Sequence, residues 1–67
     1  MSKFGERLKE LRLDQKLTQD KLAELTGVTQ AAISCYELKK TKPTDEVIII
    51  FCKFFKVSAD YILGLDD

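Results

Sequence analysis

Apolar residues recur at helical intervals along the whole of this chain, and residues that cap or stop helices fall between the runs. Phe4, Leu8 and Leu11 stand at i, i+4 and i+7, one stripe of a helix expected from about Lys3 to Gln15. Thr18 suits the cap of the next helix, although Lys21 occupies the place where a full capping box carries Glu or Gln. That helix is expected over about Gln19 to Leu25, with Leu22 and Leu25 turned inward and Ala23 admitting a close neighbour. Gly27 suits the left-handed backbone that closes it. Thr29 caps a third helix that reaches about Leu38. Ala32, Ile33 and Tyr36 point to a core, and Gln30, Ala31, Ser34 and Cys35 fall on the other side.

Lys39-Lys40-Thr41-Lys42-Pro43 is a basic loop. Thr44 then caps a fourth helix reaching about Phe55, with Asp45 and Glu46 favourable in its first turn. Ser58 caps a short fifth helix through Leu63, stopped by Gly64. On the fourth helix Ile48, Phe51, Cys52 and Phe55 form a core face, and Val47, Ile50 and Phe54 form a second stripe beside it. One face normally suffices for a small domain, so the second stripe is expected to be covered by another copy of the chain, with Tyr61 and Leu65 at the rim. The alternative is a broad core closed by the fifth helix.

Five short helices with short connections predict a compact all-α fold, a single domain over residues 1–67. The second and third helices are separated by three or four residues around Gly27, the spacing of a helix-turn-helix. A core this small gives limited stability, which also favours a dimer or very regular packing.

Composition narrows the chemistry. The chain has no His and two Cys, 17 residues apart, so a zinc site is not expected, nor any other cofactor. Catalysis is not expected either: there is no Gly-rich phosphate loop, and no base stands beside Ser34 or Cys35. The longest apolar run, Val47 to Cys52, is far too short to span a membrane, and the charged N-terminus lacks the apolar segment of a signal peptide. Both cysteines are therefore read as free thiols in a reduced, cytoplasmic protein. Net charge is zero, unlike most nucleic-acid binders, but it is unevenly spread. Residues 16–43 carry five basic and three acidic side chains, whereas residues 44–67 carry two and five. A mildly positive middle with an acidic end leaves one face open to a polyanion.

Thr18-Gln19-Asp20-Lys21-Leu22-Ala23, Gly27-Val28-Thr29, Ile33-Ser34-Cys35-Tyr36-Glu37 and Lys42-Pro43 follow one another in an order that resembles the phage repressor and Cro type of helix-turn-helix, the Xre family. Val57 to Gly64 resembles the closing helix of that family. One departure stands out: the family often has Gly two residues after the Glu, where this chain has Lys39. The resemblance implies a five-helix, lambda-repressor-like domain whose third helix enters the major groove of DNA.

It also implies roles. Gln19 matches a residue that touches the DNA backbone and braces the recognition helix. Arg12 and Glu37 match a partly buried ion pair that aims it. Gln30 is the foremost candidate base reader, because its amide can bond adenine bidentately. Ala31 can meet a thymine methyl, and Ser34 lies one turn further along. Cys35 matches a position that reads bases in some relatives; a small, weakly polar residue near the groove is the preferred reading over a redox switch. Thr18, Thr29, Lys39, Lys40, Thr41 and Lys42 are candidate backbone contacts, and Cys52 is read as core.

The leading expectation is thus a phage-type transcription regulator, a repressor binding double-stranded DNA at a near-palindromic operator as a homodimer. RNA polymerase and an anti-repressor protein are the further partners considered. The competing expectation is a protein-interaction module of the same fold, an antitoxin or anti-repressor with weak DNA binding, which the neutral charge favours and Gln19, Gln30 and the lysine loop oppose.

Overall fold

A computed structural model of the chain describes residues 2–65. Five helices follow one another: α1 (Phe4–Asp14), α2 (Gln19–Thr26), α3 (Gln30–Glu37), α4 (Asp45–Phe55) and α5 (Ala59–Leu63). The four hydroxyl residues expected as caps all act as such. Thr18, Thr29, Thr44 and Ser58 each accept a hydrogen bond from the backbone N–H three residues on, at 3.0–3.2 Å.

Each helix contributes to one core, made by Phe4, Leu8, Leu22, Val28, Ile33, Tyr36, Phe51, Phe55 and Ile62. Phe4 meets the edge of Tyr36 at 5.6 Å between ring centres and packs on Phe51 at 6.1 Å, joining α1, α3 and α4. α3 rests on α1 and α2, and α5 closes against α1 and α4. Arg7 strengthens the last contact: its guanidinium lies 4.4 Å from the centre of the Tyr61 ring and donates to the Tyr61 carbonyl at 2.8 Å. Tyr61, expected at a dimer rim, is thereby engaged within its own chain.

Two expectations from the apolar pattern change. Leu25 does not turn inward; it is 48% exposed. Leu22, Ala23 and Thr26 form the covered arc of α2, and Leu25 lies about 100° from its centre at 100° per residue. Thr26 is held in that arc by donating its hydroxyl to the Leu22 carbonyl at 2.8 Å. On α4, the two stripes are flanks of one broad arc centred on Phe51. Val47, Ile50 and Phe54 are half-buried against the core of their own chain, and Phe54 meets the edge of Phe55 at 4.9 Å. The apolar residue that α4 leaves outside is Ile49, 52% exposed.

Three helix ends close on lysines in left-handed backbone, Lys16, Lys39 and Lys56, with φ of 57°, 61° and 58°. The left-handed state costs a side chain roughly 1–2 kcal/mol. At Lys39 the compensation is visible: its N–H donates to Tyr36 and the Lys40 N–H to Cys35, the paired closure of a Schellman motif. The turn therefore closes in left-handed backbone on a lysine rather than a glycine. Gly5 is needed beside it, since a Cβ there would overlap the Tyr36 carbonyl oxygen.

Candidate nucleic-acid interface

The candidate site grows from a charge pair in the protein's interior. Arg12, on the last turn of α1, donates from Nε to Glu37 Oε2 at 2.7 Å and from Nη2 to Glu37 Oε1 at 2.9 Å. Its Nη1 donates to the Leu17 carbonyl at 2.8 Å, so each of the three guanidinium nitrogens has a partner. The two side chains are 10% and 4% exposed. Burial opposes the charge on Glu37, but hydrogen bonds from Arg12 and Gln19 and the nearby positive charges of Arg12 and Lys9 together hold its carboxyl below the usual range. The bond to Glu37 raises the Arg12 pKa against its own burial.

The pair continues outward as a relay. Gln19 Nε2, at the first position of α2, donates to Glu37 Oε1 at 3.0 Å. Gln19 Oε1 then accepts from Gln30 Nε2 at 2.7 Å, at the first position of α3. A buried ion pair at the end of α3 thus fixes the amide at its beginning through a residue of α2. Gln30 spends one N–H on Gln19 and keeps its second N–H and its carbonyl oxygen. That donor–acceptor couple is what an adenine edge offers partners for in the major groove.

The other candidates distribute around this relay. Gln30 and Ala31 are exposed on α3, and Ser34 and Cys35 are half-buried one turn on. The hydroxyls of Thr18 and Thr29 are occupied as caps while both residues stay exposed. Lys40, Thr41 and Lys42 are exposed on the loop after α3. Lys39, the other candidate of that loop, has its ammonium held at 2.6 Å by Glu6 of α1. That contact, with the charge of Lys39, keeps the Glu6 carboxyl below its ordinary range. Sequence reading missed this pair because nothing in the pattern brings residues 33 positions apart together. Both cysteines are free, and burial pushes the half-buried Cys52 thiol up. Among the described residues no group of side chains is arranged to hold a metal ion, and no helix is long and apolar enough to cross a membrane.

Residues 8–62, which carry the relay and all of the core but Phe4, match the helix-turn-helix family model HTH_3. The chain belongs to that family. It is a family of helix-turn-helix transcriptional regulators, the Xre or Cro/C1 type, rather than of enzymes. The HTH-type transcriptional regulator YobD of Bacillus subtilis (strain 168) is 40% identical over 64 residues, 96% of this chain and 57% of YobD. The chain therefore spans little more than half of that relative's length. Among solved structures, a transcriptional regulator from Listeria innocua superposes with a TM-score of 0.86 at 30% identity, covering 96% of this chain and 60% of that one. The P22 c2 repressor in complex with a synthetic operator superposes with a TM-score of 0.84 at 33% identity, covering 94% and 96%. The all-α five-helix architecture read from the sequence is the one these HTH_3 relatives share.

Proposed function

We propose that this domain is the DNA-reading part of a transcriptional repressor, placing α3 in the major groove of an operator. The observation that carries the proposal is the relay Arg12–Glu37–Gln19–Gln30, which fixes one exposed amide at the start of the helix that the family presents to DNA. Gln30 reads adenine, Ala31 and Ser34 lie along the same surface, and Cys35 borders it as a small side chain. Gln19 and the exposed Thr18 and Thr29 face phosphate at the starts of α2 and α3, where helix N-termini favour anions. Lys40, Thr41 and Lys42 supply backbone contacts, with Lys39 shared between Glu6 and phosphate. The P22 c2 repressor, bound to a synthetic operator, has this architecture over nearly its whole domain.

The acting unit in this proposal is a homodimer on a near-palindromic site, with two α3 helices about 34 Å apart. Its contact surface is an apolar strip in which Ile49 lies beside Ala59 and Leu63, with Leu65 69% exposed nearby in sequence. Val47, Ile50 and Phe54 contribute only their outer parts, being half-buried within the chain. Repression follows from occupancy, which excludes RNA polymerase from an overlapping promoter.

The test is a titration of labelled duplex DNA at several salt concentrations. The affinity is expected to fall steeply with salt, and Lys40→Gln and Lys42→Gln are each expected to lower the slope by about 1. A slope near zero for the unaltered chain would overturn the proposal in favour of a protein-interaction module.

A further inference from the structure

A hollow of about 610 Å³ opens beneath the Lys39–Pro43 loop, between that loop, the start of α1 and α4. Its floor is apolar: Pro43, Ile48 and Leu63 are half-buried there, over Phe4 and Tyr36, which are themselves covered. Its rim is cationic. Lys39 is neutralised by Glu6, but Lys40 and Lys42 make no side-chain hydrogen bond or ion pair among the described residues. A DNA backbone offers the floor no apolar partner, since its contacts are hydrogen bonds to phosphate and sugar. An apolar floor of this size under unpaired ammonium groups suits a small amphipathic anion, and the volume lies within the range of small-molecule sites.

We propose that the hollow binds a small organic acid: an apolar body seats on Pro43, Ile48 and Leu63, and a carboxylate pairs with Lys40 and Lys42. A carboxylate paired with the two ammonium groups neutralises their charge toward DNA phosphate, so the bound acid lowers DNA affinity. That consequence rests on the operator-binding reading; the site itself does not.

The test is an amide-resolved NMR titration of the full chain, without DNA, using 1-naphthaleneacetate and its uncharged counterpart 1-naphthaleneacetamide. The acid is expected to give saturable shifts at Gly5, Tyr36, Thr41 and Ile48. The amide, and the acid against a Lys40→Gln/Lys42→Gln double variant, are expected to bind roughly tenfold more weakly, as loss of a charge-assisted contact predicts. Both lysines are exposed, so the double variant keeps its fold, which the unshifted remainder of its spectrum verifies. Shifts scattered over the surface, or equal binding by acid and amide, would overturn the site. Because DNA is absent, that failure would leave the operator proposal standing. If the acid binds as expected but leaves the affinity for labelled duplex unchanged, the competition is refuted and the site remains.

Discussion

Arg12 grips Glu37 through Nε and Nη2 of its guanidinium, across 25 residues of sequence and with both side chains almost out of water. The bond ties the end of α1 to the end of α3, and Gln19 extends it to the exposed Gln30. Breaking one side would strand a charge in the interior. Arg12→Met or Glu37→Ala alone is expected to cost about 3–5 kcal/mol of unfolding free energy, enough to unfold much of so small a domain. The double change Arg12→Met/Glu37→Leu should recover most of it. Urea unfolding of the three variants checks this; a double variant as unstable as the singles would show that the pair is not the cause.

Acid should act through the same residue. The folded state holds the Glu37 carboxyl below its unfolded pKa. Its stabilisation is therefore complete above the ordinary carboxylate range and is lost as pH falls through the lower, folded value. The melting temperature should drop as pH is lowered from about 7 to about 3, and Glu37→Gln should flatten that drop. Parallel profiles for the two proteins would assign the acid sensitivity elsewhere.

Gly5 is expected to tolerate no larger residue. A Cβ there would meet the Tyr36 carbonyl oxygen, whose position is fixed by the turn through Lys39. Gly5→Ala must push α1 and α3 apart, and roughly 1–3 kcal/mol of destabilisation is expected, as for an overpacked core. Calorimetry of that variant, with Glu10→Ala on the exposed side of the same helix as comparison, measures it.

The pair between Glu6 and Lys39 is exposed, at 54% and 47%, so its contribution to stability is small. Its effect should be on binding. Glu6→Gln frees Lys39 for phosphate and removes a negative charge from beside the loop. The salt slope of DNA binding is expected to steepen by up to about 1, with the melting temperature nearly unchanged. An unaltered slope would mean that Lys39 never reaches DNA.

Much of this architecture was legible in the apolar spacing and the cap residues. Thr18, Thr29, Thr44 and Ser58 announce four helix starts because a hydroxyl before a periodic run has one common use. Gly27 and Gly64 announce two ends, and both adopt left-handed backbone. Lys16 and Lys56 close helices in the same conformation with nothing in their identity to say so; the tertiary fold imposes it. Leu25 misled for a related reason. Periodicity gives the angle between residues on a helix, but the centre of the buried arc depends on neighbours that the pattern does not locate. The relay was partly legible: the resemblance paired Arg12 with Glu37 and gave Gln19 its bracing role, while the bond from Gln30 to Gln19 needed three-dimensional placement.

The most direct measurement is selection of duplexes from a random pool by the purified chain, repeated with Gln30→Ala. The expected result is one inverted repeat with half-sites about one helical turn apart, in which a single adenine position per half-site loses about 1–3 kcal/mol of discrimination in the variant. Recovery of no common sequence, or of one that Gln30→Ala leaves unchanged at every position, would contradict the role assigned to α3 and to the relay behind it.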